Sequence, residues 1–192
     1  MALLIVGLVL FLGLHSVRIV AEGWRTRTVA RIGQNAWKGA YSVGSVIGLV
    51  LIVWGYGIAR QTPQLLWLSP TWTRHLAALL TVPAFIGLVA AYVPRNHVKA
   101  AVGHPMVLGV LLWALAHLLA NGTVADLLLF GGFAVWAAFD YGAALRRAPV
   151  SGARRAAASW GLTALTVLIG LVAWVGFAFW AHGVLIGVRP FG

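Results

Sequence analysis

Long uncharged stretches make up most of this chain, and the charged residues between them mark where each one ends. No charge precedes Arg18; residues 39–59 run uncharged between Lys38 and Arg60, and residues 75–94 between Arg74 and Arg95. Residues 100–125 form a longer run divided by Asn121-Gly122, residues 127–139 follow, and residues 156–188 carry no formal charge. A helix that crosses a bilayer needs roughly 20 apolar residues, with a range of about 17–25. The pattern predicts six spans, over residues 2–20, 39–59, 74–94, 104–121, 123–145 and 158–181. The fourth is the shortest. It forms a tight hairpin with the fifth, because only Asn121-Gly122-Thr123 separates them. The expected fold is all-α, a polytopic membrane helical bundle forming a single transmembrane domain over residues 1–192.

Composition sharpens this reading. Of 192 residues, 61% are hydrophobic and only 9% charged, and the mean hydropathy is +0.93. A soluble domain carries about a quarter charged residues, so a soluble globular enzyme is excluded. Lys and Arg outnumber Asp and Glu by 14 to 3, a formal charge of +11. In a soluble protein that excess suggests nucleic acid, but here its placement follows the spans. The loops after spans 1, 3 and 5 hold eleven of the cations, Arg154 and Arg155 among them; the opposite side holds Arg60, Arg74 and Arg189. The positive-inside rule then places both termini outside the cytoplasm. No nucleic-acid partner is needed to explain the charge; the lipid bilayer is the expected partner. Trp24, Trp37, Trp67, Trp72, Trp160 and Trp180 fall near span ends, where an aromatic belt belongs.

Ionisable residues at membrane depth are costly and therefore informative. His15 lies about one turn inside the cytoplasmic end of span 1, and His104 opens span 4 in Gly103-His104-Pro105. His117 lies near the far end of span 4, with Trp113 and Asn121 four residues to either side on the same helix face. Thirteen residues separate His104 from His117, about 20 Å along one helix, so these two cannot share one metal ion. A two-histidine site must draw on different helices. His15 with His104 is the cytoplasmic-side pair; His117 with His75 or His182 is the opposite one. The ordinary alternative is a histidine that simply bonds a neighbouring helix. His97, in Pro94-Arg95-Asn96-His97, is read as a solvated loop residue, and Asp126 suits the positive end of span 5.

Cysteine is absent, and Glu22, Asp126 and Asp140 are the only acids, so thiolate chemistry and carboxylate-rich di-metal sites lack their residues. Histidines without acids, many aromatics and cations at one surface suit haem better than a bare zinc ion. Haem iron takes axial histidine, and Arg18, Arg95 or Lys99 is placed to pair with propionates.

The segment from Gly103-His104-Pro105 through Leu112-Trp113-Ala114-Leu115-Ala116-His117 to Asn121-Gly122 resembles the signature of the NnrU family, which includes the 15-cis-zeta-carotene isomerases. Leu128-Leu129-Phe130-Gly131-Gly132-Phe133 with Trp136, His15-Ser16-Val17-Arg18 and Tyr41-Ser42-Val43-Gly44-Ser45 continue the likeness, which covers most of the chain through about Arg147. Gly103 and Thr123 stand where the family pattern usually has a basic and an acidic residue.

The resemblance implies a haem-b protein of the bacterial inner (cytoplasmic) membrane. It places the iron-ligating histidines on His15 and His104, with Arg18, Trp113 and His117 as further cofactor-binding candidates. The implied role is in nitrite and nitric oxide respiration, by electron transfer, sensing or maturation, alongside a respiratory redox partner. One alternative is a haem-dependent cis–trans isomerase acting on a carotenoid or other apolar polyene, with Trp113 and Phe133 lining its slot. The other is a haem-free membrane scaffold or small carrier.

Overall fold

The structure, a computed structural model, describes residues 1–148 and 157–191. Arg154 and Arg155 lie outside the described residues. Helices dominate: α1 (Ala2–Val20), α2 (Glu22–Ile32), α3 (Gln34–Ala59), α4 (Thr71–Tyr92), α5 (His97–Val102), α6 (Pro105–Ala120), α7 (Val124–Arg147) and α8 (Trp160–Ile186). No strand occurs among the described residues. A single backbone bridge pairs Leu65 with Thr123.

Helices α1, α3, α4, α7 and α8 are each long and apolar enough to cross a membrane, and this is a multi-pass membrane protein. The expected fourth span is α6, and it is shorter than the others. Its 16 residues reach about 24 Å at 1.5 Å per residue, less than the roughly 30 Å of hydrocarbon in a bilayer. Both ends are fixed locally. Gly103 takes φ +75°, His104 caps the helix and Pro105 occupies the first turn, where its missing N–H costs little. At the other end Asn121 is extended, and its side-chain amide donates to the carbonyl of His117 at 2.9 Å.

Two compact units make up the chain. One comprises Met1–Leu68 with Gly122–Asp140; the other comprises Ser69–Asn121 with the chain from Tyr141 onward. In the first unit α1 and α3 run antiparallel and very close. A Cβ on Gly55 would meet the backbone of Leu4; one on Gly7 would lie 2.6 Å from the Ile52 nitrogen, and one on Gly48 3.0 Å from Phe11. Between helices in lipid there is no water to expel, so association rests on such close packing. The start of α7 is a capping box. Thr123 Oγ1 accepts from the Asp126 amide at 3.2 Å, and Asp126 Oδ2 accepts from the Thr123 amide at 2.9 Å. Asp126 thus sits at the positive helix end as expected, and Tyr56 donates to its Oδ1 at 2.6 Å. A π-helical turn over Leu127–Gly131 follows.

In the second unit α4 packs against α6 and α8. A Cβ on Gly87 would lie 2.7 Å from the Pro105 carbonyl and one on Gly109 2.7 Å from that of Ala84, while one on Gly170 would lie 2.8 Å from Ile86 Cα. Trp174 Nε1 donates to Thr81 Oγ1 at 2.9 Å, and the Phe85 and Phe177 rings lie 5.5 Å apart. A second π-helical turn spans Phe177–Ala181. The outward faces of the long helices are apolar and exposed, as lipid contact requires; Val9 is 70% and Leu79 67% accessible.

His97 departs from its expected place. It opens α5 half-buried, stacked on Trp160 at 4.0 Å, and its amide and Nδ1 both meet Thr163 Oγ1, at 2.9 and 3.0 Å. The reason is tertiary. Asn96, 1% exposed, caps α5 while donating to the Ala90 and Val93 carbonyls, which folds this turn back against α8.

Candidate functional site

In the first unit His15 is set by its own helix. Its Nδ1 is 2.7 Å from the carbonyl of Phe11, one turn back. A carbonyl only accepts, so Nδ1 carries the proton and the neutral ring has its lone pair on Nε2. Aromatics surround it: Phe11 stacks at 4.1 Å, Tyr41 lies at 5.2 Å and Trp136 meets it edge-on at 5.9 Å. Phe133 lies against both Phe11 and Trp136. The buried Trp136 Nε1 in this unit has no hydrogen-bond partner among the described residues.

Arg18 stands one turn beyond His15, and the two line a common cavity with Arg25, Trp37, Lys38 and Tyr41. Glu22 bridges Arg18 at 3.4 Å and Arg25 at 3.1 Å. The composition of this cavity was not foreseen. Arg25 lies within α2 and Lys38 near the start of α3, and nothing in their spacing from His15 signals the shared cavity.

His104 lies in the second unit, at the junction of α5 and α6. The left-handed Gly103 ends α5 and the proline starts α6, so the backbone between them is tightly constrained. Its Nε2 is buried and has no hydrogen-bond partner among the described residues. In either tautomer that nitrogen is an unsatisfied donor or acceptor, which costs about 1–3 kcal/mol. An imidazole offering one buried nitrogen, or one whose other nitrogen is fixed by a carbonyl, is what an axial iron ligand requires. His15 and His104 belong to different units.

Also in the second unit, His117 Nδ1 meets the Trp113 carbonyl at 2.8 Å, and the Trp113 ring lies 5.1 Å from the imidazole. Of the two partners considered for His117, His182 is the one beside it, with ring centroids 6.5 Å apart; His75 is exposed. Among the described residues no group of three or more His, Asp, Glu or Cys comes together to hold a bare metal ion. A porphyrin iron, already held by four nitrogens of its own, asks the protein for only one or two.

A family model described as NnrU protein matches residues 3–190 of this chain. No curated protein and no solved structure matches it.

Proposed function

This chain belongs to the NnrU family, and from that premise we propose that it is a haem-b-binding protein of the bacterial cytoplasmic membrane serving nitrite and nitric oxide respiration. The observation that carries the reading is the buried, unpartnered Nε2 of His104. Burying an imidazole nitrogen with no partner is unfavourable, and a bond to iron would remove that penalty. His15 would offer a second nitrogen to the iron, a reading that rests on its fixed tautomer and on the family likeness at His15-Ser16-Val17-Arg18.

Bound haem supplies a redox-active iron. The chain's own part is to hold and tune it. The Phe11 carbonyl keeps the proton on Nδ1 of His15 and makes the opposite nitrogen more basic, as carbonyl partners do for metal-bound histidines. Phe11 stacks on that ring and Trp136 meets it edge-on, so one side of the imidazole is walled by aromatics. Were both histidines to hold the iron, no open position would be left for a small ligand such as nitric oxide. That favours electron transfer or gated sensing. The eleven-to-three bias in Lys and Arg orients the protein with both termini outside the cytoplasm.

The test is a hemin titration of the detergent-purified, haem-free protein. We expect one haem per chain, and an affinity weakened by about tenfold or more in His104→Ala. Unchanged binding in that variant contradicts the assignment.

A further inference from the structure

We propose that the first unit carries a binding site for one anionic glycerophospholipid, at the membrane surface where α1 ends and α3 begins. The inference does not require haem, although the cavity it uses is the one that His15 and Arg18 line. Helices α1 and α3 are antiparallel spans, as the contacts of Gly7 with Ile52 and Gly55 with Leu4 require, so Val20 and Gln34 emerge at one surface. α2 joins them there. None of its residues is buried, Trp24 and Ile32 are half exposed, and Trp24 meets Trp37 edge-on at 5.7 Å. A short helix with exposed Trp and Arg residues between two spans lies at headgroup depth.

A cavity of about 220 Å³ opens at this place, lined by Arg18, Arg25 and Lys38 together with Trp37 and Tyr41. Glu22 gives one oxygen to Arg18 and the other to Arg25, which leaves Lys38 outside those bridges and the lining net positive. The volume is below the roughly 300–1,000 Å³ typical of whole-cofactor pockets and suits a small anion such as a phosphodiester. Basic pockets between spanning helices on the cytoplasmic side are where anionic headgroups bind.

A second feature selects a lipid over a soluble phosphate. Leu14, in the wall of the basic cavity, also begins an open apolar face of α1 that continues through Gly13, Leu10 and Val9 to Ile5. Nothing lies within 4 Å of the position a Gly13 Cβ would take, so the face is open at that point. From Leu14 to Ile5 is about 13 Å along the helix, a length of wall against which an acyl chain lies. Headgroup cavity and apolar face thus meet at Leu14.

The test is native mass spectrometry of the full chain in detergent, titrated with dioleoyl phosphatidylglycerol or dioleoyl phosphatidylcholine. One phosphatidylglycerol should bind in preference, and more weakly as salt rises. Arg25→Gln with Lys38→Gln, and separately Gly13→Leu, should each weaken it by about tenfold, while Arg31→Gln should not. Equal binding of phosphatidylcholine, or retention of phosphatidylglycerol by both variants, overturns the proposal. Equal binding of glycerol 3-phosphate makes this a soluble-anion site and overturns it too. Retention of phosphatidylglycerol by the Arg25/Lys38 variant alone shows that these cations do not hold the headgroup, and overturns the proposal as well. Because the titration uses haem-free protein, its failure is separate from any failure of the haem assignment.

Discussion

His15 is fixed twice by Phe11, through a stacked ring at 4.1 Å and through a 2.7 Å contact between its Nδ1 and the Phe11 carbonyl. The second link involves backbone and is indifferent to the side chain. Phe11→Leu should therefore keep the tautomer and the proposed iron bond, with hemin affinity within about threefold of the parent, whereas His15→Ala should weaken it by about tenfold or more. The hemin titration compares the two directly. A loss in Phe11→Leu as large as that in His15→Ala means that ring packing, not the tautomer, is what matters.

Close packing of α1 on α3 sets the next expectation. Gly7→Val places a side chain into the Leu51–Ile52 backbone and should cost about 1–3 kcal/mol. Gly13→Ala, on the same helix, enters open space and should be neutral or slightly stabilising. Thermal unfolding in one detergent distinguishes them, and equal melting temperatures would refute the packing argument.

Asp126 accepts from Tyr56 as well as from the amide and hydroxyl of Thr123. Tyr56→Phe removes one of three bonds and should cost about 0.5–1.5 kcal/mol, whereas Asp126→Ala strands several donors and should cost about 1–3 kcal/mol or more. Denaturation of the two variants in detergent gives the order. Reversed severity would mean that the carboxylate is not what holds this turn.

Orientation is open to a clean chemical test because the chain has no cysteine. Arg27→Cys, in the loop after span 1, should react with a membrane-impermeant maleimide only after the membrane is permeabilised. Arg60→Cys, on the opposite side, should react while that membrane is intact. The reverse pattern contradicts the positive-inside reading.

Much of the fold was legible because charge marks the ends of apolar runs. The first span expected over residues 2–20 is α1, Ala2–Val20; the second began too late, because α3 carries its helix through Lys38 back to Gln34. α2 was missed: Glu22-Gly23-Trp24-Arg25-Thr26-Arg27 is polar, and it is helical only as a surface link between two spans. The site was legible in part. His15 and His104 stand out by residue type and by resemblance, but the Tyr41 and Trp136 rings beside His15 come from parts of the chain distant in sequence. His97 shows the limit most plainly, since Thr163, 66 residues away, decides its surroundings. The division into two units, each assembled from separated stretches of chain, leaves no mark in hydropathy.

The central claim is haem ligation by His15 and His104, and the optical spectrum tests it most directly. The protein would be expressed with ample haem, purified in detergent, and measured oxidised and after dithionite reduction, with haem counted per chain. We predict a six-coordinate b-type spectrum that is lost or converted to five-coordinate in His15→Ala and His104→Ala but survives in His117→Ala. A folded, haem-replete preparation with no Soret band, or a spectrum unchanged by both ligand substitutions, would contradict the account.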